Sequence, residues 1–431
     1  MKILRSLALL CGLFLDFSTL ARAQAPLKLT VEPFPGQAPL GYVEILGVQA
    51  GAFNPVLWQK GTLNWVADIR YPIMAPRMGG GFRNIYAPWA VQEAKGWRFF
   101  YSAWDGVPTG NDRVYSTTTD DFIDFGARET VIEHGDLVHV SNVNVQKVED
   151  GSYQMICTAW PDPQKRDKPI YFSSPDGRTW NGSPQPYVAQ MKDYVRMEGY
   201  DKYKNGELNG ANVLLRDHGK YYLYFSNWDE AGMLYWAEGD TPADFKFGGV
   251  SLKTYHAVND GEKFTIDGKP WYLMALHKKG DVGLGVNDAW KLWYSLSNDG
   301  IHFDNEHDMF QSLDWEDRYI FAVGYVRKGD ALLGVLYGAG ATTGLNRNQI
   351  FGRWLQKKVV ITEETERRYP GSGAEYQAAG SLGPDRQEIK VPIDREKLAG
   401  TLTVYAEDGI TPLGSTKVEL DMGHMYSLVW K

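Results

Sequence analysis

Cysteine is almost absent from this chain. Two occur in 431 residues, and Cys11 lies in an N-terminal segment that reads as a cleavable leader. Cys157 then stands alone, so no internal disulfide can form. Within the apolar run SYQMICTAW it reads as a small core residue. Basic runs are missing as well: 45 Lys and Arg face 53 Asp and Glu, for a formal charge of −8. An acidic chain without a Lys/Arg cluster is no nucleic-acid binder. Past the leader, no stretch approaches the roughly 20 apolar residues of a membrane span. Zinc-spaced Cys/His sets, phosphate loops and nucleotide fingerprints are also lacking.

What is present begins with MKILRSLALLCGLFLDFSTLARAQA. Lys2 and Arg5 precede an apolar run, and Ala21 and Ala23 supply the small residues of a signal-peptidase site. The expectation is a signal peptide over residues 1–23, cut after Ala23, and a soluble product that is secreted or periplasmic. Cys11 follows Leu10 rather than a small residue, which disfavours a lipoprotein anchor.

The strongest pattern is a repeat. Five apolar segments each run into a Gly turn and then an aromatic-rich strand: YAPWAVQEAKGWRFFYS, NVNVQKVEDGSYQMICT, GANVLLRDHGKYYLYFS, EKFTIDGKPWYLMA and FAVGYVRKGDALLGVLY. The turn glycines are Gly96, Gly151, Gly219, Gly268 and Gly329. Glycine suits such hairpin turns because it adopts positive φ without a Cβ penalty. Four segments follow with a second strand–turn–aromatic pattern: DRVYSTTTDDFIDFG, KPIYFSSPDGRTWNG, GMLYWAEGDTPADFKFGG and LWYSLSNDGIHFDN. The fifth, NRNQIFGRWLQKKVVI, lacks the turn and suits a blade closed by another part of the chain, with YVEILGV at 42–48 as the candidate strand. An all-β repeat of this period predicts a β-propeller. The expected division is a five-bladed propeller with an N-terminal extension over 24–358 and a small C-terminal β module over 359–431.

These hairpins resemble those of five-bladed glycoside hydrolases of the arabinanase/xylosidase type (family 43) and their invertase/levansucrase relatives. The resemblance spans about residues 84–355 and is carried by YAPWAVQEAKGWRFFYS, GANVLLRDHGKYYLYFS, YFSSPDGRTW and YSLSNDGIHF. It implies glycosidic cleavage by an Asp base in blade one, a tuning Asp in blade two and a Glu acid in blade three. This chain has Tyr86 and Asn142 at the first two places, and Glu207 two residues before Asn209-Gly210 at the third. The resemblance implies no catalytic cofactor and admits a structural Ca²⁺ in the axial channel, although no ligand set is readable.

A propeller gathers one strand end per blade around an axial pocket. Residues before each first strand and after each second strand should therefore rim it. After the second strands come Trp104, Trp160 and Trp228, with His277 in the fourth blade. An indole face packs against the apolar face of a sugar ring, and equally well between blades. His277 reads as a donor, an acid or a packed histidine. Two carboxyl groups must flank a scissile glycosidic bond, one protonating the leaving oxygen and the other activating water or attacking the sugar. Glu207 is the expected acid, with Asp260 or Asp68 as base or tuning group; Glu262 and Asp317 complete the carboxylate candidates. Tyr86, Asn142 and Asn209 are expected to hold sugar hydroxyls. Arg83, with Arg70 and Arg77 around the glycines of DIRYPIMAPRMGGGFRN, would pair with an acidic substituent.

The leading expectation is a secreted, monomeric glycoside hydrolase acting on a plant or algal polysaccharide or its oligosaccharides, acidic sugars included. The alternative is a catalytically silent glycan-binding propeller, favoured by the asparagines at carboxylate positions. A third, sialidase-type reading rests on SSPDGRTW alone, a single Asp-box-like copy one residue short.

Overall fold

A computed structural model describes residues 28–77, 84–160, 166–183, 185–204, 206, 208, 212–230, 232–278, 290–342, 347–364, 373–392 and 395–430. Five antiparallel sheets follow one another along the chain as blades, each ordered from its first strand outward. Blade one comprises Asn84–Gln92, Trp97–Trp104, Arg113–Thr119 and Glu129–Glu133; blade two, His139–Lys147, Tyr153–Trp160 and Lys168–Ser174. Blade three comprises Val213–Asp217, Lys220–Ser226, Leu234–Thr241 and Asp244–Leu252; blade four, His256–Ile266, Lys269–Lys278, Lys291–Ser297 and His307–Gln311. Blade five is Tyr319–Lys328, Ala331–Gly340 and Gln349–Leu355, completed by Trp65–Ala67 from before blade one.

The five repeat glycines occupy the five turns between first and second strands, all at positive φ from 59° to 86°. All five turns therefore lie on one face, and the opposite face carries the pocket ends of the strands. Three of the second turns, in blades one, two and four, share a local device. Ser174, Ser297 and Thr119 each accept a backbone N–H three residues on, at 2.8, 3.0 and 2.8 Å, while Asp176, Asp299 and Asp121 cap the following N–H groups. Each turn then sends an aromatic side chain, Trp180, Phe303 or Phe122, into the core.

Three expectations are corrected. YVEILGV does not close the ring: Trp65–Ala67 pairs antiparallel with Gln349–Leu355 instead. Among the described residues blade two has three strands rather than four. The chain after it straps its neighbours, with Tyr187–Val188 pairing parallel with the rim of blade one and Arg196–Glu198 with that of blade three. Finally, Leu29–Gln37 and Tyr42–Leu46, assigned to the propeller's extension, join an eight-stranded sheet with six strands from Lys358 onward. That sheet is nearly closed like a barrel around Val43, Ile45, Val359, Ile361, Ile389, Leu402 and Leu428.

Candidate active site

The pocket end of the inner strands is kinked. A bulge interrupts the first strand between Tyr86 and Trp89, Ser141 and Asn144, Val258 and Asp260, and Ile320 and Ala322. Such an insertion re-aims side chains and is favoured beside binding sites. Ala87 (φ 47°) and Asn142 (φ 54°) take left-handed conformations there. Asparagine tolerates that region, whereas alanine is strained in it.

Between blades one and two these kinks assemble a polar cluster. Tyr86 donates its hydroxyl to Asp112 Oδ2 at 3.0 Å. The same Oδ2 lies 2.9 Å from His139 Nδ1, and the Asp112 backbone N–H lies 3.2 Å from that nitrogen. The imidazole can therefore donate to the carboxylate or accept from the backbone, according to its tautomer. His139 stacks on Trp160 at 5.1 Å and 9°. Asp112 is 4 % exposed, and its Oδ1 has no hydrogen-bond partner. Burial and the Asp112 charge push the Tyr86 phenol well above its usual range; Ser141 also bonds it, and Asp167 lies within electrostatic reach. One buried carboxyl group thus binds the phenol and a second acts on it only through its charge.

Asp112 and Asp167 were not among the sequence-derived candidates. Both stand one residue before the third strand of their blade, in DRVYS and DKPIY. Third-strand starts lie on the pocket face as surely as second-strand ends. The repeated Asp-Arg/Asp-Lys pair was the available signal.

Other candidates are placed differently. Asp68 sits on the outermost strand side of blade five, not in the pocket, because its segment supplies the closing strand. Its oxygens accept from Arg70 Nε and Nη2 (both 2.8 Å), Trp354 Nε1 (3.0 Å) and Gly383 N (3.0 Å). Arg70 also donates to the Phe122 and Ile123 carbonyls, and Arg77 clasps Asp105 and its carbonyl. Neither arginine is therefore a free fork for a substrate anion. Asp317 is consumed by Tyr337 (2.8 Å) and the Leu313 N–H (2.9 Å). Asp260 is fully buried between blades four and five and accepts from Tyr325 N at 2.5 Å; burial and then the Glu262 charge raise its pKa well above the usual value. Glu262 pairs with Arg327 at 2.5 Å, near the Gly329 turn on the opposite face. His277 is buried, with Nδ1 unpartnered, and burial with the nearby His256 lowers its pKa to about 3, so it is neutral at ordinary pH.

Trp104 is buried, whereas Trp160 and Trp228 are half-buried. Trp104 and Trp160 end their second strands, opposite Asn84 and His139; Trp228 lies two residues beyond its strand. Tyr255 and Trp315, 67 and 66 % exposed, stand on connections between blades on the same face. Glu207, Asn209 and Arg83, like the leader over 1–23, lie outside the described residues. Among the described residues no group of three or more His, Cys, Asp or Glu side chains is placed to hold a metal ion. Among them, too, no helix is long and apolar enough to cross a membrane.

No protein-family profile and no curated protein matches the chain. Solved structures do. A candidate glycosidase from Bacteroides thetaiotaomicron is 14 % identical over 71 % of this chain and 99 % of that one, with a TM-score of 0.50. An α-L-arabinofuranosidase from Podospora anserina is 11 % identical over 68 % and 97 %, with a TM-score of 0.47. A GH32 β-fructofuranosidase from Bombyx mori is 10 % identical over 87 % and 96 %, with a TM-score of 0.46. At such identities the likeness is one of fold. The chain's own sheets form the five-bladed propeller that the hairpin resemblance implied, and the likeness to the Bacteroides thetaiotaomicron structure is one of that fold.

Proposed function

We propose that this chain is a glycoside hydrolase whose chemistry takes place at the pocket end of blades one to three. The observation that carries the reading is Asp112: a buried carboxylate held by Tyr86 with one oxygen unpartnered, the Asp167 charge acting on the same phenol. Its free Oδ1 suits the proton-accepting group that activates water, or the nucleophile that attacks the sugar. Glu207 is assigned as the acid that protonates the leaving oxygen, and Asp167 as the group that positions or tunes the pair. Asn142, Asn209 and Trp160 would contact the sugar, and Arg83 an acidic substituent on it. The proposed substrates are plant or algal polysaccharides or their oligosaccharides. The exposed Tyr255 and Trp315 on the same face suit stacking against further sugar units.

The test is turnover of a panel of polysaccharides and nitrophenyl glycosides by the purified protein. Asp112→Asn and Glu207→Gln should each lower kcat by about 10²–10⁴-fold, the usual worth of a positioned acid or base. Full turnover in both variants overturns the assignment. The alternative, a non-catalytic glycan binder, is favoured by Tyr86 and Asn142 standing where the resembled family carries aspartates. Saturable glycan binding with no turnover by the unaltered protein would establish it. Export is proposed as well: N-terminal sequencing of the mature protein should begin at Gln24.

A further inference from the structure

The start of blade two is tied to the loop that carries Asp112. Asn111 Nδ2 donates to the Val138 carbonyl at 2.9 Å, and Val140 N donates to the Asp112 carbonyl at 3.1 Å. These two bonds flank His139 in sequence and fix its backbone against that of Asp112. Trp160, directly opposite His139 in the blade-two hairpin, fixes the ring: indole and imidazole lie 9° from parallel with centroids 5.1 Å apart. A histidine held at both backbone and ring keeps one orientation toward its partner, as proton transfer requires.

His139 Nδ1 faces two groups that ask opposite things of it. Asp112 Oδ2, 2.9 Å away, needs a proton on Nδ1, whereas the Asp112 N–H, 3.2 Å away, needs a lone pair there. Tyr86 donates its hydroxyl to the same Oδ2, which is thereby committed to accepting. A hydrogen bond to an ionised acceptor is roughly twice as strong as a neutral one. The carboxylate therefore wins, and Nδ1 carries the proton. Nε2 is left with the lone pair. It bonds to no described residue, and the His139 side chain is 22 % exposed against 5 % for Asp112. A buried carboxylate that holds an imidazole by Nδ1–H and leaves Nε2 free is the orienter–base half of a catalytic triad.

We propose that His139 Nε2 is the atom that deprotonates the attacking water, with Asp112 orienting the imidazole and balancing its charge. This role rests on the hydrolase reading and adds to it the group that joins the buried carboxylate to the pocket. As the water oxygen forms its bond to the anomeric carbon, a water proton passes to Nε2. The bond from that carbon to the glycosidic oxygen breaks, and the leaving oxygen takes a proton from the acid. Nε2 then returns its proton to solvent and the acid regains one, so water and glycoside become two hydroxyl products. The imidazolium formed in between lies against a carboxylate and the face of an indole, both of which favour a cation. This route commits Asp112 to activating water rather than to attacking the sugar.

The imidazole tautomer tests this without a substrate. The protein is prepared with isotope-labelled histidine and read by long-range proton–nitrogen NMR at neutral pH, with His139→Gln identifying the resonances. Nδ1 should carry a proton, and Asp112→Asn should move the proton toward Nε2. A bare Nδ1 in the unaltered protein overturns the proposal. Kinetics follow on the glycoside that the panel identifies. His139→Gln should lower kcat by about 10²–10⁴-fold with KM nearly unchanged. Added imidazole should restore part of the turnover lost in His139→Ala, with thermal unfolding confirming that both variants fold. Full turnover in His139→Gln, a loss carried by KM alone, or a His139→Ala variant unmoved by imidazole overturns the proposal. The hydrolase reading fails separately. No turnover of any panel member by the unaltered protein removes that reading, and with it the reaction assigned to Nε2, even where Nδ1 carries its proton. A collapse of kcat in Asp112→Asn beside full turnover in His139→Gln keeps the reading and removes His139.

Discussion

Asp68 and Asp112 are both buried aspartates at strand ends, and they differ in how their oxygens are spent. Asp68 accepts bidentately from Arg70 and again from Trp354 and Gly383, so it ties the closing strand of blade five to the barrel-like sheet. Asp112 has one oxygen occupied and one unpartnered. Removing one member of a buried, hydrogen-bonded pair strands the other and costs about 3–5 kcal/mol. Asp68→Ala should therefore lower the denaturant midpoint sharply while kcat per folded molecule stays near that of the unaltered protein. Asp112→Asn should do the reverse, with stability shifted little and kcat collapsing. A common loss of stability without any loss of kcat would remove Asp112 from the chemistry. The sequence could not separate these two residues, because what distinguishes them is a set of partners up to 315 positions away. It did carry a hint for Asp112 in the Asp-Arg/Asp-Lys repeat before third strands.

Among the elements, the first-strand hairpins were legible because a turn's backbone demand is local. A glycine flanked by alternating strands announces a positive φ, and all five do have one. The closing strand was not legible: WVA is three residues long, and its partner lies nearly 290 positions away. The bulges were equally silent, since they are set by packing at the ring's centre rather than by turn residues. Two glycines separate these kinds of information. A Cβ on Gly219 (φ 76°) meets nothing within 4 Å, so Gly219→Ala should cost only the backbone strain of about 1–2 kcal/mol. A Cβ on Gly324 would lie 2.1 Å from the Pro88 carbonyl oxygen, where the inner strand of blade five meets the bulge of blade one. Backbone on both sides cannot yield, and overpacking of this kind costs roughly 3 kcal/mol. Gly324→Ala should therefore destabilise the ring more than Gly219→Ala in chemical denaturation. Equal losses would show that the seam between blades one and five relaxes.

For the whole molecule, the chain's two ends are woven together. Leu29–Gln37 and Tyr42–Leu46 pair with the last strand, and Tyr42–Leu46 also with Arg386–Lys390, so the second unit is not a C-terminal appendage but a sheet shared by both ends. Composition shifts mark where a chain changes style; they do not reveal which distant strand completes a sheet. The weave places Glu44 directly opposite Glu388, both buried. Burial raises the pKa of each; the Glu44 charge adds to the rise at Glu388, while Arg386 opposes it at Glu44. An acid whose folded pKa is raised holds its proton longer in the folded state than in the unfolded one. The folded state then binds more protons as pH climbs from the ordinary value of about 4.5 toward the raised one, and stability falls across that window. Below it both states are protonated and the penalty vanishes. Glu388→Gln removes one buried charge and relieves its partner, at about 1.4 kcal/mol for each unit by which the pKa stood raised. The variant should therefore unfold at higher temperature than the unaltered protein at pH 7, and the difference should shrink as pH is lowered to 4. A thermal midpoint at pH 7 that is unchanged or lower in Glu388→Gln would mean that the two carboxyl groups are not in conflict across the shared sheet.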